Sequence, residues 1–307
     1  MLETLGVVGP ARTIPVSGGA DTLIWRVEVA GQASALRLFR PEQAAIAQRE
    51  VAAMDAAGSA GLPVPRVYAA GIWRGRPVLH LSWMPGRPLR DELRAHPWRA
   101  WALGVQFGRS QAAVHAISLP FAPPAALLAH PTPLGWIDWA NPDEALRNCL
   151  RLAATARGPD ALALLHLDFH PLNVLVADGR VSAVLDWANA RIGDPRADLA
   201  RTASILHFAP LFPGVPPLLE TIVRRAFIAG WRHGYREVAG PARGMAPFYA
   251  WAGAVMIRDL TPRLGRPELP WLDLQFLERV RQWADGWRER AGCTDRSQPS
   301  SATTGSL

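Results

Sequence analysis

Apolar and polar positions alternate with period two over Leu23–Val29, turn at Gly31-Gln32, and resume over Ala35–Phe39. That pattern predicts an antiparallel hairpin with one face buried. Pro41 suits the first turn of a helix, and Glu42–Ala57 runs without a breaker until Gly58, so a helix is expected there. After the stiff connector Leu62-Pro63-Val64-Pro65, Arg66–Ala70 and Val78–Trp83 read as two further strands. Met84-Pro85-Gly86 then breaks the pattern and predicts a hinge.

Beyond the hinge the period changes to that of helices. Trp98–Ile117, Pro142–Arg157, Asp198–Phe208, Pro217–Tyr235, Met245–Leu260 and Leu272–Arg290 are the expected helical segments. Three short apolar runs interrupt them: Ala161–Leu165, Val174–Val176 and Val181–Leu185, each the length of a buried strand. The expected fold class is α+β: a small antiparallel sheet with one helix over residues 1–83, and a mainly helical part over residues 84–292. Residues 293–307 are rich in Ser, Thr, Pro and Gly and are expected to be a disordered tail.

Between the first two of those runs lies a polar cluster, His166-Leu167-Asp168-Phe169-His170-Pro171-Leu172-Asn173, and the third ends at Asp186. A polar loop clamped between buried strands is held rigidly while its side chains stay accessible, which is what a reactive site requires. The spacing H-x-D-x-x-x-x-N followed by Asp is the one by which kinases place a base and two magnesium ligands. Asp168 would orient an acceptor hydroxyl and take its proton. Asn173 and Asp186 offer the hard oxygen atoms that suit magnesium. His166 would support the loop through a backbone carbonyl or through Asp198. The same residues admit a competing reading, a metal-dependent hydrolase using His166, Asp168, His170 and Asp186.

This block resembles the aminoglycoside phosphotransferase/choline kinase group, whose motifs are similar to HGDxHxxN followed by IDWxxxxxGDPxxDLA. The chain has HLDFHPLN and LDWANARIGDPRADLA, ending at Asp198-Leu199-Ala200. The resemblance implies a two-lobed kinase-like fold, a small-molecule hydroxyl as acceptor and ATP or GTP with Mg2+ as donor. It also implies Asp168 as catalytic residue and Asn173 and Asp186 as metal ligands. Trp83 and Met84, at the hinge, would contact the nucleotide.

Three departures stand out. Leu167 replaces the family's more frequent glycine, which is free of strain only if its φ is negative. The turn that would cover the phosphates is Val16-Ser17-Gly18-Gly19-Ala20-Asp21-Thr22, where Ser17, Gly18 and Gly19 could still present backbone N–H groups. No lysine occurs anywhere, so the strand position of the phosphate-binding lysine falls to Arg37, with Glu50 as its helix partner. Arg37 could otherwise point to solvent. These departures motivate an alternative, a nucleotide-binding pseudokinase.

Composition adds limits. Of 307 residues 49% are hydrophobic, enough for a substantial core, and the formal charge is +7. The 33 basic residues are all arginine and are scattered singly, which argues against a nucleic-acid partner. The longest apolar stretch, Met245–Ile257, is too short to span a bilayer and contains Pro247. Cys149 and Cys293 form no disulfide framework or metal spacing, and the start Met1-Leu2-Glu3-Thr4 lacks the marks of a signal peptide. A cytoplasmic location is therefore expected. For the acceptor, Trp136, Asp138 and Trp139 and the helix over Trp251–Asp259 are candidates, with tryptophan as core filler the competing reading. Scattered carboxylates favour neutral, sugar-like or hydrophobic alcohols over a polycation.

Overall fold

The computed structural model describes residues 5–6, 9–16, 22–119, 124–128, 134–158, 161–210 and 216–293. They form two compact units. The larger comprises residues up to Trp136 together with Ala161–Ala242; the smaller comprises Ile137–Asp160 and the chain from Arg243.

The larger unit opens with a five-stranded antiparallel sheet in the order β1-β2-β3-β5-β4. Its strands are β1 (Ala11–Val16), β2 (Leu23–Val29), β3 (Gln32–Leu38), β4 (Val67–Trp73) and β5 (Arg76–Ser82). Leu23 pairs with Leu38 and Val29 with Gln32, so the hairpin read from the alternation is present. Val27, Leu36, Leu38 and Val78 form the sheet's core with Leu5. Helix α1 (Ala44–Ser59) follows a short 3-10 turn at Pro41–Gln43.

After β5 come β6 (Arg87–Pro88), α2 (Leu89–Ala95) and α3 (Ala100–His115). The motif region supplies β7 (Ala163–Leu165), β8 (Val174–Ala177), β9 (Arg180–Val184) and β10 (Arg191–Gly193), then α5 (Pro195–Phe208) and α6 (Pro217–Ala239). β8 and β9 are a hairpin whose turn residues Asp178 and Gly179 both have positive φ, as a two-residue turn of matching twist requires. β10 pairs with β7, Arg191 opposite Leu165. Asp194 caps α5 by accepting from the Arg196 N–H, with Pro195 in the first turn.

Helices α3 and α6 approach backbone to backbone. Gly104 and Gly108 on one face Gly230 and Gly234 on the other, four residues apart in each. A Cβ on Gly108 would lie 2.6 Å from the Tyr235 nitrogen, and one on Gly234 would lie 2.8 Å from the Val105 carbonyl carbon. Only glycine allows this separation, and it brings the polar side chains of the two helices within reach of each other.

The smaller unit holds α4 (Glu144–Thr155), α7 (Ala246–Leu260) and α8 (Leu274–Ala291). Asp143 and Asp273 cap α4 and α8. The cysteines, expected to be unpaired, instead form a disulfide, Cys149 on α4 with Cys293 beyond α8, their Cα atoms 6.0 Å apart. Residues 294–307 of the expected tail lie outside the described residues. No described helix is long and apolar enough to cross a membrane.

Candidate active site

The loop between β7 and β8 carries His166 to Asn173, and the bend after β9 carries Asp186. Both are tied to the same framework: Leu185 donates its N–H to the Asn173 carbonyl at 2.7 Å, and Asn173 its own to the His170 carbonyl. His166 is fully buried. Its Nε2 donates to the Leu185 carbonyl at 2.9 Å, and Nδ1 accepts from the Asp168 N–H at 3.3 Å. Burial pushes its pKa down against the pull of Asp198 and Asp168, so the ring is neutral, as this tautomer requires. It is a brace between the two segments.

Asp198 holds the loop's backbone from beneath. Fully buried on α5, it accepts from the Leu167 N–H at 2.6 Å and the His166 N–H at 3.3 Å. His115 Nε2 and Gln111 Nε2, both on α3, approach its other side at 2.8 and 3.2 Å. From α6, Trp231 Nε1 donates to Gln111 Oε1 and the Tyr235 hydroxyl meets His115 Nδ1, each at 2.8 Å. Burial pushes the Asp198 carboxyl up, but His115, His166 and Gln111 outweigh it and hold it below the usual range. Of the two supports expected for His166, backbone or Asp198, its ring takes the backbone carbonyl of Leu185, while Asp198 accepts from the His166 backbone N–H. Gln111 and His115 were not singled out, although the Gly-x-x-x-Gly spacings at Gly104–Gly108 and Gly230–Gly234 mark the crossing that positions them.

Leu167 has φ +61°, so the condition for a strain-free leucine is not met. Leu167 takes a left-handed geometry that glycine adopts freely, at a cost of about 1–2 kcal/mol. The hydrogen bond to Asp198 fixes the backbone, and complete burial of the leucine side chain offsets the strain.

Asp168 is 26% exposed at its side chain. Asn173 Nδ2 donates to its carbonyl at 3.0 Å and to its Oδ2 at 3.3 Å, and His170 Nε2 lies 3.5 Å from Oδ1. Burial raises the Asp168 carboxyl, but the His170 ring, Arg201 and His166 together hold it well below the usual carboxylate range. It is an anion at any working pH, suited to orienting a hydroxyl more than to driving a strong deprotonation. Because the Asn173 nitrogen is engaged with Asp168, its amide oxygen is the atom left to meet a cation.

Arg37 on β3 points inward, 8% exposed. Nη1 donates to Glu50 Oε1 on α1 at 2.5 Å, Nη2 to Asp186 Oδ1 at 2.9 Å, and Nε to Thr22 at 3.1 Å. One guanidinium thus serves two carboxylates. Burial raises the Glu50 carboxyl to about 7, with Arg37 opposing and Asp186 adding. Glu50 Oε2 is buried without a hydrogen-bond partner.

A cavity of about 350 Å³ opens on these groups. Arg37, Glu50, Asn173 and Asp186 make one polar part of its lining; Ile24, Leu81, Trp83, Met84 and Leu175 make apolar walls. Ser17, Gly18 and Gly19 lie outside the described residues, although Val16 at the end of β1 lines the cavity. Among the described residues no group of three His, Cys, Asp or Glu side chains could hold a metal ion, which deprives the hydrolase reading of its ligand cluster. Of the acceptor candidates, Trp136 is buried against Gly193 and serves the core, and Trp251 is buried in the smaller unit, donating to the Ile137 carbonyl. Asp138 is exposed and ion-paired to Arg147.

Known structures share this architecture. A protein from Ralstonia eutropha JMP134 assigned as an aminoglycoside phosphotransferase is 21% identical, with a TM-score of 0.65 and 94% of each chain covered. A thermostable mutant of aminoglycoside phosphotransferase APH(4)-Ia, in a ternary complex with ADP and hygromycin B, is 19% identical, with a TM-score of 0.64 over 95% of this chain and 97% of its own. A protein from Haemophilus somnus 129PT assigned as a fructosamine-3-kinase is 14% identical, with a TM-score of 0.58 over 93% and 94%. At these identities the likeness establishes the kinase-like α+β fold. No curated protein matches the chain. The profile of the phosphotransferase enzyme family matches residues 12–245, spanning the sheet, the catalytic-loop motif and the helices that support it, and the chain belongs to that family.

Proposed function

We propose that the protein transfers the terminal phosphoryl group of ATP or GTP to a hydroxyl of a small molecule, with Asp168 orienting that hydroxyl and accepting its proton. The single observation that supports this best is the convergence of Arg37, Glu50, Asn173 and Asp186 on one cavity beside the Asp168 loop. Residues 1–83 cover the nucleotide, with Trp83 and Met84 against its base; the catalytic loop belongs to residues 84–292.

Arg37 offers a planar, always charged fork to phosphate oxygens, and Glu50 and Thr22 hold it in place. The Asn173 amide oxygen and the Asp186 carboxylate fit Mg2+, a hard cation that takes oxygen ligands. Mg2+ bound there would neutralise charge on the phosphates as the transfer proceeds. The relatives in complex with ADP or AMP-PNP and hygromycin B make a nucleoside triphosphate and a hydroxyl-bearing small molecule the reasonable pair of substrates here as well.

The test is transfer of label from the γ-position of ATP and of GTP, with Mg2+, across hydroxyl metabolites and antibiotics. Transfer that falls about 10²–10⁴-fold in Asp168→Ala while nucleotide affinity holds is the expected result. Nucleotide binding that ignores Mg2+, with no transfer to any acceptor, would instead identify a pseudokinase.

A further inference from the structure

Two buried arginines of the larger unit sit on carboxylates: Arg37 on Glu50 and Asp186, Arg196 on Asp194. Arg49 and Arg191, half-buried in the larger unit, do not. Arg49, on α1 next to Glu50, donates Nη1 to the Ala188 carbonyl at 3.1 Å, and its Nε is buried with no hydrogen-bond partner. Arg191, the first residue of β10, donates Nη1 to the Ala190 carbonyl at 2.7 Å. Among the described residues neither has an acidic partner.

Their placement is specific. The two carbonyls that anchor them are two residues apart, so no more than about 7 Å of backbone separates the anchor points. Arg191 stands opposite Leu165, three residues before Asp168, within about 10 Å of extended chain of it. Ala188 follows Asp186 by two residues. The pair therefore flanks the catalytic loop on one side and the Asp186 bend on the other. Burial first, and then the Arg49 cation, push the Arg191 guanidinium down to about 9. Two like charges held together in partial burial, with guanidinium N–H groups unspent, form a receptor for an oxyanion rather than a structural feature.

We propose that Arg49 and Arg191 together bind an oxyanion, and that the hydroxyl compound this enzyme phosphorylates carries the carboxylate or phosphate that docks there. The assignment of that ligand as the acceptor rests on the phosphotransfer reading above; the oxyanion site itself does not. It replaces the neutral alcohol expected from the scattered carboxylates with an acidic acceptor, and it sets this chain against a polycationic one.

Two measurements on the full-length protein test it. The first is calorimetric titration of inorganic phosphate, and separately of acetate, with Mg2+ and ADP saturating so that the nucleotide cavity is filled. Binding to the wild type should weaken about 10-fold or more in Arg49→Gln/Arg191→Gln. No binding to the wild type, or equal binding to the variant, overturns the site. The second compares glycerol, glycerate and glycerol 3-phosphate within the acceptor panel. The anionic acceptors should show the lower KM, raised about 10–100-fold in the double variant, with the KM for ATP within about twofold of wild type. Glycerate or glycerol 3-phosphate standing out identifies the carboxylate or the phosphate as the docking group. Preference for neutral or cationic alcohols, or a rise confined to the nucleotide KM, overturns the acceptor assignment. A panel with no transfer at all counts against phosphotransfer, and the titration still decides the oxyanion site. Each single variant should keep or raise the unfolding midpoint, because a repulsion is removed; a folding defect in both would mark the arginines as structural and overturn the proposal.

Discussion

Gly108→Ala probes how the helix crossing serves the loop that carries Asp168. The added Cβ would lie 2.6 Å from the Tyr235 nitrogen and 3.0 Å from the Trp231 carbonyl carbon. Ordinary contact between such atoms is about 3.5 Å, so α6 must retreat by about 1 Å. The Gln111–Trp231 and His115–Tyr235 hydrogen bonds, both 2.8 Å, would then stretch to about 3.8 Å and cease to be hydrogen bonds. Overpacking costs about 1–3 kcal/mol and two lost buried hydrogen bonds about 1 kcal/mol each, so about 3–5 kcal/mol is at stake. With Trp231 and Tyr235 withdrawn, Gln111 and His115 lose the contacts that orient them toward Asp198, its hold on the Leu167 and His166 amides loosens, and Asp168 shifts with them. Thermal unfolding should show a midpoint lowered by about 5–15 °C, and kcat, measured well below that midpoint, should fall about 10–100-fold. Gly286→Ala is the control: nothing lies within 4 Å of its Cβ, and helix propensity alone should keep or raise the midpoint. A Gly108→Ala protein with wild-type midpoint and kcat would refute the link between crossing and loop.

Other outcomes follow from the same contacts. Glu50, raised to about 7 in the fold and near 4.3 unfolded, binds its proton more tightly when folded. Its contribution is thus fully present below about pH 4 and lost as pH rises through 7, up to about 4 kcal/mol. Glu50→Gln should flatten that part of the unfolding midpoint between pH 5 and 8, and an unchanged slope would mean the proton resides elsewhere. Leu167→Gly relieves about 1 kcal/mol of strain but removes a fully buried side chain worth more, so denaturant titration should show a net loss of about 1–3 kcal/mol; a gain would mean strain dominates. Reductant, or Cys149→Ser, should lower the unfolding midpoint, since the disulfide closes a loop of 144 residues and is worth about 5 kcal/mol by chain entropy.

Local patterns were the legible part of the sequence. Period-two alternation gave the β2–β3 hairpin, and breaker-free runs gave the helices to within a few residues, because both report on which face meets the core. The pairing of Arg37 with Glu50 was readable too, since an inward strand cation needs a counter-charge and α1 supplies it. Relations set by distant packing were not legible. Nothing near Cys149 announces Cys293, and nothing in His166-Leu167-Asp168 shows that leucine will take a left-handed backbone, because Asp198, thirty-one residues on, dictates it. Trp136 looked available for stacking on a substrate; the close approach of Gly193 buries it. The paired glycines of α3 and α6 were visible as spacings, and their meaning appears only when the helices cross.

The Cys149–Cys293 bond also changes the chain's covalent topology. Residues 149 to 293 become a closed ring that contains the Asp168 loop, the Asp186 bend and the two helices of the Asp198 support that follow it in sequence, α5 and α6. A protease that cuts once inside the ring leaves a single connected molecule, whereas a cut in the sheet region before it releases a fragment. The oxidised protein can therefore be nicked within the ring without shedding the segment that holds Asp168.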